Sequence, residues 1–113
     1  LKPTVAPDAP IKKVILEISE KRLGATAVVE EGKVIGVITD GDIRRMLNNN
    51  DTFTHLTAKD IMTQSPKIIQ SSAMVVQALN ILEDFSITQL VVVDNDEYKG
   101  VIHLHDILKE GIV

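Results

Sequence analysis

The sequence repeats itself at an interval of 64 residues. Set against itself at that offset, Gly36-Val37-Ile38 falls on Gly100-Val101-Ile102, Asp42-Ile43 on Asp106-Ile107, and Val28-Val29 on Val92-Val93, with no gap. Eight of the 49 overlapping pairs are identical and seven of them lie in this one stretch. Apolar positions elsewhere agree too: Ile11 with Val75, Ile15 with Leu79, Ile18 with Leu82, Leu23 with Ile87. One period and one order of elements identify a duplicated supersecondary unit. A unit this small cannot bury its own apolar face, so the two copies must pack together, and the seam between them is the natural place for a ligand.

Composition narrows the class. A chain of 113 residues can bury roughly two-thirds of its unfolded surface, and 44% hydrophobic with 25% charged residues is ordinary for a globular protein. The net charge of −4 argues against a nucleic-acid partner, which would call for a basic face. Without cysteine there is no disulfide, no thiol nucleophile and no cysteine metal site, as expected of a reducing cytoplasm. The longest apolar runs, such as Leu90 to Val93, are far shorter than the about 20 residues that span a bilayer, so no membrane partner is expected. No signal peptide is recognised in these residues, and the start at Leu1 rather than methionine suits a processed chain or a piece of a longer one.

Each copy reads as strand, helix, strand, strand, helix. Pro3 to Val5 is extended. Asp8 is placed to cap a helix with Pro10 in its first turn, Ile11, Val14, Ile15 and Ile18 share one helical face, and Gly24 is placed to end that helix. Ala25 to Glu30 and Lys33 to Thr39 form a hairpin through Glu31-Gly32. Asp40 to Leu47 is helical, Asn48 to Thr54 is loop, and Thr57 to Met62 is a short helix. In the second copy Lys67 to Ile69 is extended, Ser72 to Phe85 helical, Gln89 to Asp94 and Tyr98 to Ile102 strands, and His105 to Glu110 helical. The expected fold class is α/β, with a small helix-covered sheet in each copy. The copies span residues 1–54 and 65–113, joined by a linker at 55–64.

Chemical potential concentrates where each second strand ends. In the first copy Thr39-Asp40-Gly41-Asp42 runs from strand into helix, where unpaired N–H groups and the helix dipole favour an anion. Thr39 supplies a hydroxyl and Asp42 a carboxylate suited to a vicinal diol, which together fit a nucleotide. Thr39-x-x-Asp42 is equally a capping arrangement, and spacing alone favours the cap, because every helix needs one. In the second copy His103 replaces the threonine while Asp106 stays. His103, His105 and Asp106 as metal ligands lack further partners, His55 being the only other histidine; the other readings are a histidine on a phosphate or two polar residues at a helix start. Arg44 and Arg45 point about 100° apart on a helix, so at most one is expected to face a cleft. Lys59 and Lys67 lie near the junction of the copies, and Met46, Met62 and Met74 read as packing.

The duplicated unit, with Gly-hydrophobic-hydrophobic-Thr-x-x-Asp closing its first copy and Asp60-Ile61-Met62-Thr63 followed by Pro66 opening the second, resembles the CBS domain, which in tandem forms a nucleotide-sensing Bateman module. Thr39-Asp40-Gly41-Asp42-Ile43-Arg44-Arg45 and His103-Leu104-His105-Asp106 are similar to the C-terminal half of bacterial arabinose-5-phosphate isomerases, over essentially the whole chain. The resemblance implies two pseudo-symmetric CBS repeats packed sheet to sheet. It also implies a first repeat that begins here just inside its usual start. It further implies a regulatory role beside a sugar-isomerase domain that interconverts ribulose 5-phosphate and arabinose 5-phosphate for 3-deoxy-D-manno-octulosonate and lipopolysaccharide or capsule synthesis. That catalytic domain lies outside these residues.

Carried over by position, the resemblance implies nucleotide contacts from Val5 and Ile69 beside the base, Thr26 and Gln89 at the next strand, Thr39 and Asp42 on ribose or phosphate, and His103 and Asp106 in the second half-site. His103 departs from the general CBS pattern, so the half-sites are expected to be chemically unequal. The implied ligand is an adenine or cytidine nucleotide, by feedback logic a CMP sugar. The implied partners are this nucleotide, the isomerase domain and further copies of the chain. No catalytic residue, metal or cofactor is expected in the chain itself. The competing class is a structural module that only holds an oligomer together.

Overall fold

The computed structural model describes residues 2–109. The element order is β1 (Thr4–Val5), α1 (Ile11–Lys21), β2 (Ala25–Glu30), β3 (Lys33–Thr39), α2 (Asp40–Asn49), α3 (Ala58–Ile61), β4 (Thr63–Gln64), β5 (Ile68–Ile69), α4 (Val75–Asp84), β6 (Gln89–Asp94), β7 (Glu97–His103) and α5 (Leu104–Lys109). They build two sheets, ordered β1-β2-β3-β4 and β5-β6-β7. In each, the first strand pairs parallel with the second and the hairpin strands pair antiparallel. Glu31 and Gly32 both take positive φ, 52° and 80°, as a two-residue hairpin turn requires; Asn95 and Asp96 do the same at the equivalent place.

The duplication extends to an irregularity. The register slips between Val28 and Val29 in one hairpin and between Val92 and Val93 in the other. The extra residue of such a bulge resets the alternation of side chains. Val34 and Val37 therefore face the same layer although three apart, while Ile35 and Ile38 face the other. Tyr98 and Val101 repeat the pattern.

Three apolar layers result. One lies between the first sheet and its helices and contains Val5, Val14, Ile18, Val28 and Ile38. The second repeat has its counterpart around Ala78, Leu82, Leu90 and Ile107. Between them is the shared seam, where Leu23, Ala25 and Ala27 of the first sheet meet Val91, Tyr98 and Val101 of the second. Alanines at two of these positions let the sheets approach closely, and Tyr98 fills the space they leave. Its hydroxyl donates to the buried Pro3 carbonyl at 2.5 Å, tying the second repeat to the first. The expected sheet-to-sheet packing of the copies is thus borne out.

Several local expectations shift. Asp8 caps nothing: α1 starts after Pro10, which makes no side-chain cap. The left-handed residue ending α1 is Arg22 (φ 58°), and Gly24 (φ 70°) serves another purpose. A Cβ there would come within 2.8 Å of Gln89 Nε2, so glycine admits the opposite repeat. Ile15 lies at the exposed margin of its helix face, and Met74 is 68% exposed rather than packed. α4 starts at Val75, because Met74 N–H is capped by Gln77 Oε1 at 3.0 Å, and α2 continues through Asn48 and Asn49. The end of the last expected helix, Glu110, lies outside the described residues. Strand β4, drawn from the linker, is an element the periodicity did not indicate.

Candidate ligand-binding site

The hydrophobic layers bring the end of β3 and the start of α2 to the rim of the seam. Thr39 caps α2 in a full capping box: its hydroxyl accepts from Asp42 N–H at 3.4 Å, and Asp42 Oδ2 accepts from Thr39 N–H at 2.9 Å. Asp42 is 5% exposed and its carboxylate is fully engaged. Oδ2 also accepts the Thr39 hydroxyl at 3.2 Å, while Oδ1 takes the Thr63 hydroxyl at 3.1 Å and the Arg45 guanidinium. The capping reading of this motif is therefore correct as structure. A diol reaching Asp42 must compete with Thr63 and Arg45 for Oδ1.

Beside this cap lies a cleft of about 680 Å³. One wall comes from the first repeat: Thr39, Asp40, Gly41, Arg44 and Arg45. The other comes from the second, as Ser65-Pro66-Lys67 and the turn Phe85 to Gln89, with His103 at the end of β7. Both arginines reach the cleft, against the expectation of one at most, because the N-terminal turns of α2 meet it end-on. With Lys67 they put three cations against the single carboxylate of Asp40, a locally positive cleft on an acidic chain. Lys67 Nζ sits over the Phe85 ring, 4.0 Å from its centroid, at a half-exposed aromatic surface.

A second cleft of about 480 Å³ opens on the other side of the seam, lined by Ile18, Arg22, Gly24, Asp40, His105 and Asp106 among others. His103 borders both clefts. Its ring stacks on His105 with centroids 5.1 Å apart, and its Nδ1 accepts the His105 N–H at 3.0 Å. That bond assigns the neutral ring's proton to Nε2. Among the described residues no group of three His, Asp or Glu side chains can hold a metal ion.

The remaining positions separate. Gln89 lines the larger cleft and bridges the repeats through Nε2 to the Leu23 carbonyl at 3.3 Å. Ile69 borders a different groove, within the second repeat. Val5 and Thr26 are buried, 2% and 0% exposed, and line none of these cavities. Val5 belongs to the first core and the Thr26 hydroxyl faces the Ala27 carbonyl at 3.3 Å. Ser65, Phe85 and Thr88 were not singled out from the sequence. The 64-residue offset carries part of the missing signal, since each of these helix starts faces the turn between the other copy's first helix and second strand.

Compared with known proteins, the chain matches the CBS domain family model twice, over residues 2–49 and 58–112. It is 38% identical over 112 residues to the arabinose 5-phosphate isomerase KdsD of Yersinia pestis, covering 98% of this chain and 34% of that protein. Against the Francisella tularensis KdsD it is 40% identical over 108 residues, covering 95% and 33%. The chain thus spans about a third of the length of the curated relatives it matches. A solved CBS domain protein from Pyrobaculum aerophilum, complexed with AMP, superposes with a TM-score of 0.85 at 24% identity, covering 96% of this chain and 89% of that one. With two matched copies, one shared seam and a capped helix start in each cleft wall, the chain belongs to the CBS domain family, as a tandem pair.

Proposed function

We propose that this CBS pair binds a nucleotide in the larger inter-repeat cleft and regulates a sugar-phosphate isomerase of which it forms part. The observation that carries the reading is the cleft wall of Thr39, Gly41, Arg44 and Arg45 facing Lys67, Phe85 and Gln89. Cations and a helix start suit phosphate, the half-exposed Phe85 and the Pro66 edge suit a base, and the Thr39 hydroxyl, which lines the cleft with the buried Asp42 behind it, suits a ribose hydroxyl. The relatives named as arabinose 5-phosphate isomerases support the attached activity, and the AMP complex of the Pyrobaculum protein supports a nucleotide. The regulated step is the interconversion of ribulose 5-phosphate and arabinose 5-phosphate, in the supply of 3-deoxy-D-manno-octulosonate for lipopolysaccharide or capsule. Feedback logic favours a cytidine nucleotide or CMP sugar over AMP, and His103 in place of a hydroxyl gives the second half-site a different preference. No described helix is long and apolar enough to cross a membrane, in keeping with a cytoplasmic enzyme.

Thermal unfolding with AMP, ATP, CMP and a CMP sugar tests this. A ligand at 100 times its Kd adds about 2.7 kcal/mol to the folded state and raises Tm. Sedimentation of the same samples reports association. If no nucleotide moves Tm at millimolar concentration while the chain associates regardless, the module is a structural oligomerisation unit instead.

A further inference from the structure

The larger cleft holds one contact that neither the helix cap nor the seam explains. Lys67 Nζ lies 4.0 Å from the centroid of the Phe85 ring, and both side chains line the cleft. Their backbones are fixed. The Lys67 carbonyl accepts the Val91 N–H at 3.3 Å just before β5, and Phe85 ends α4 with its N–H on the Ile81 carbonyl at 3.1 Å. The side chains beyond these anchors are exposed, Phe85 by 52%. Among the described residues Lys67 makes no ion pair, although Asp40 shares the cleft. The ammonium rests on the ring instead. On the opposite wall Arg45 is committed to Asp42, whereas Arg44 has no carboxylate partner among the described residues. The pair is confined to this cleft. At the 64-residue offset Lys67 corresponds to Pro3 and Phe85 to Lys21. Pro3 is buried and bonded to Tyr98, and Lys21 pairs with Glu17 at 3.4 Å, so the smaller cleft has no counterpart.

We infer that Lys67 and Phe85 act together as a latch that couples phosphate recognition to base recognition in this cleft. The inference rests on the nucleotide reading above and narrows its ligand class to molecules that carry a base and a phosphate together. Before a ligand enters, the ammonium covers a face of the ring that a base needs for stacking. A neutral nucleoside must displace it and offers no anion in return. A phosphate entering between Lys67 and Arg44 draws the ammonium off and leaves the ring face open. The balance favours this exchange. A cation–π contact at an exposed site is worth about two- to fivefold in an equilibrium constant. A charge-assisted hydrogen bond to phosphate is worth about tenfold or more. The flexible four-carbon stem lets the ammonium swing while its backbone stays in place. Discrimination between nucleotide and nucleoside is therefore larger than the phosphate contacts alone give, and Lys67 sets it.

The test measures binding of CMP, cytidine, AMP and adenosine to the 113-residue chain and its variants, with the Lys67 side-chain methylenes followed by NMR. In the free protein the Phe85 ring current should shift these methylenes upfield, and Phe85→Leu should remove the shift. Inorganic pyrophosphate at millimolar concentration should return the signals towards their ordinary positions in the unsubstituted chain. Lys67→Ala should weaken the nucleotides about tenfold and strengthen the nucleosides about two- to fivefold. Loss of a simple surface charge does not produce opposite signs. Lys67→Met keeps the ring covered without the charge, so it should weaken the nucleotides and give the nucleosides no gain. The inference is overturned if Lys67→Ala weakens all four ligands alike or leaves the nucleosides unchanged, or if pyrophosphate leaves Lys67 ring-shifted. Those results, with CMP or AMP still bound by the unsubstituted chain, remove the latch alone. Failure of both nucleotides to bind that chain removes the nucleotide reading and the latch together.

Discussion

Tyr98 offers the sharpest test of the seam on which both clefts depend. It is 2% exposed, spans from the second repeat into the first, and its hydroxyl donates to the Pro3 carbonyl. Burial is the main cause that raises its pKa well above the ordinary tyrosine value, with Glu17 nearby pushing the same way. The sign follows from linkage. Below about pH 10 both folded and unfolded chains keep the phenol protonated and its contribution is constant. Above that the unfolded chain releases the proton and the folded chain does not, so stability falls by up to about 1.4 kcal/mol per pH unit. By pH 11 the loss is about 1.4 kcal/mol. Tyr98→Phe removes this slope, at the cost of one of the two hydrogen bonds on the Pro3 carbonyl, which keeps the Ala27 N–H at 3.2 Å, about 0.5–1.5 kcal/mol at neutral pH. The stability curves of the two proteins should therefore converge as pH rises from 9 to 11, since the lysines affect both alike. The chain has one tyrosine and no tryptophan, so near-ultraviolet phenolate absorbance reads this residue alone. The native protein should show no ionisation near pH 10, while the urea-unfolded chain titrates there. A native midpoint near 10, or parallel stability curves, would refute the closed seam.

The other expectations concern the caps and the linker. Asp42→Ala removes the acceptor for Thr39, Thr63 and Arg45 together, so chemical denaturation should show a loss of about 2–3 kcal/mol even without ligand. Gly36→Ala pushes Met62 off β3 and should destabilise by about 1–3 kcal/mol, with increased amide exchange at Thr63 and Gln64. Asp94 is held below the usual carboxylate range by the Ser71 hydroxyl (2.5 Å) and N–H (2.9 Å). Its contribution is complete above about pH 4 and lost as pH falls through the lowered folded value, so Ser71→Ala should flatten the acid limb of a urea-unfolding profile.

The hairpins were legible because their signals are local. β2, β3 and β6 fall at the expected residues, and β7 extends one residue beyond expectation at each end, since alternating Val and Ile runs bounded by turn residues admit little else. Helix starts were less so. Asp8 looked like a cap, but Ala9 N–H is already satisfied by the Ala6 carbonyl in a turn that α3 locks through Ala58. Thr57-x-x-Asp60 shows the opposite case: Asp60 Oδ2 accepts the Thr57 N–H as Asp42 accepts that of Thr39, at the start of a four-residue helix that lines none of the clefts. The motif alone therefore marks a helix start, and only position makes one copy part of a site.

Duplication, fold class and the chemical inequality of Thr39 and His103 are properties of the chain's order, because propensity and periodicity act within a few residues. Which residues share a cleft is decided by the packing of two apolar sheet faces far apart in sequence. That packing sets the α2 start of one repeat against Lys67 and Phe85 of the other and withdraws Val5 and Thr26 into the interior. It also places His103 where both clefts meet. The 64-residue echo states that there are two halves; the seam between them states what each half offers the other.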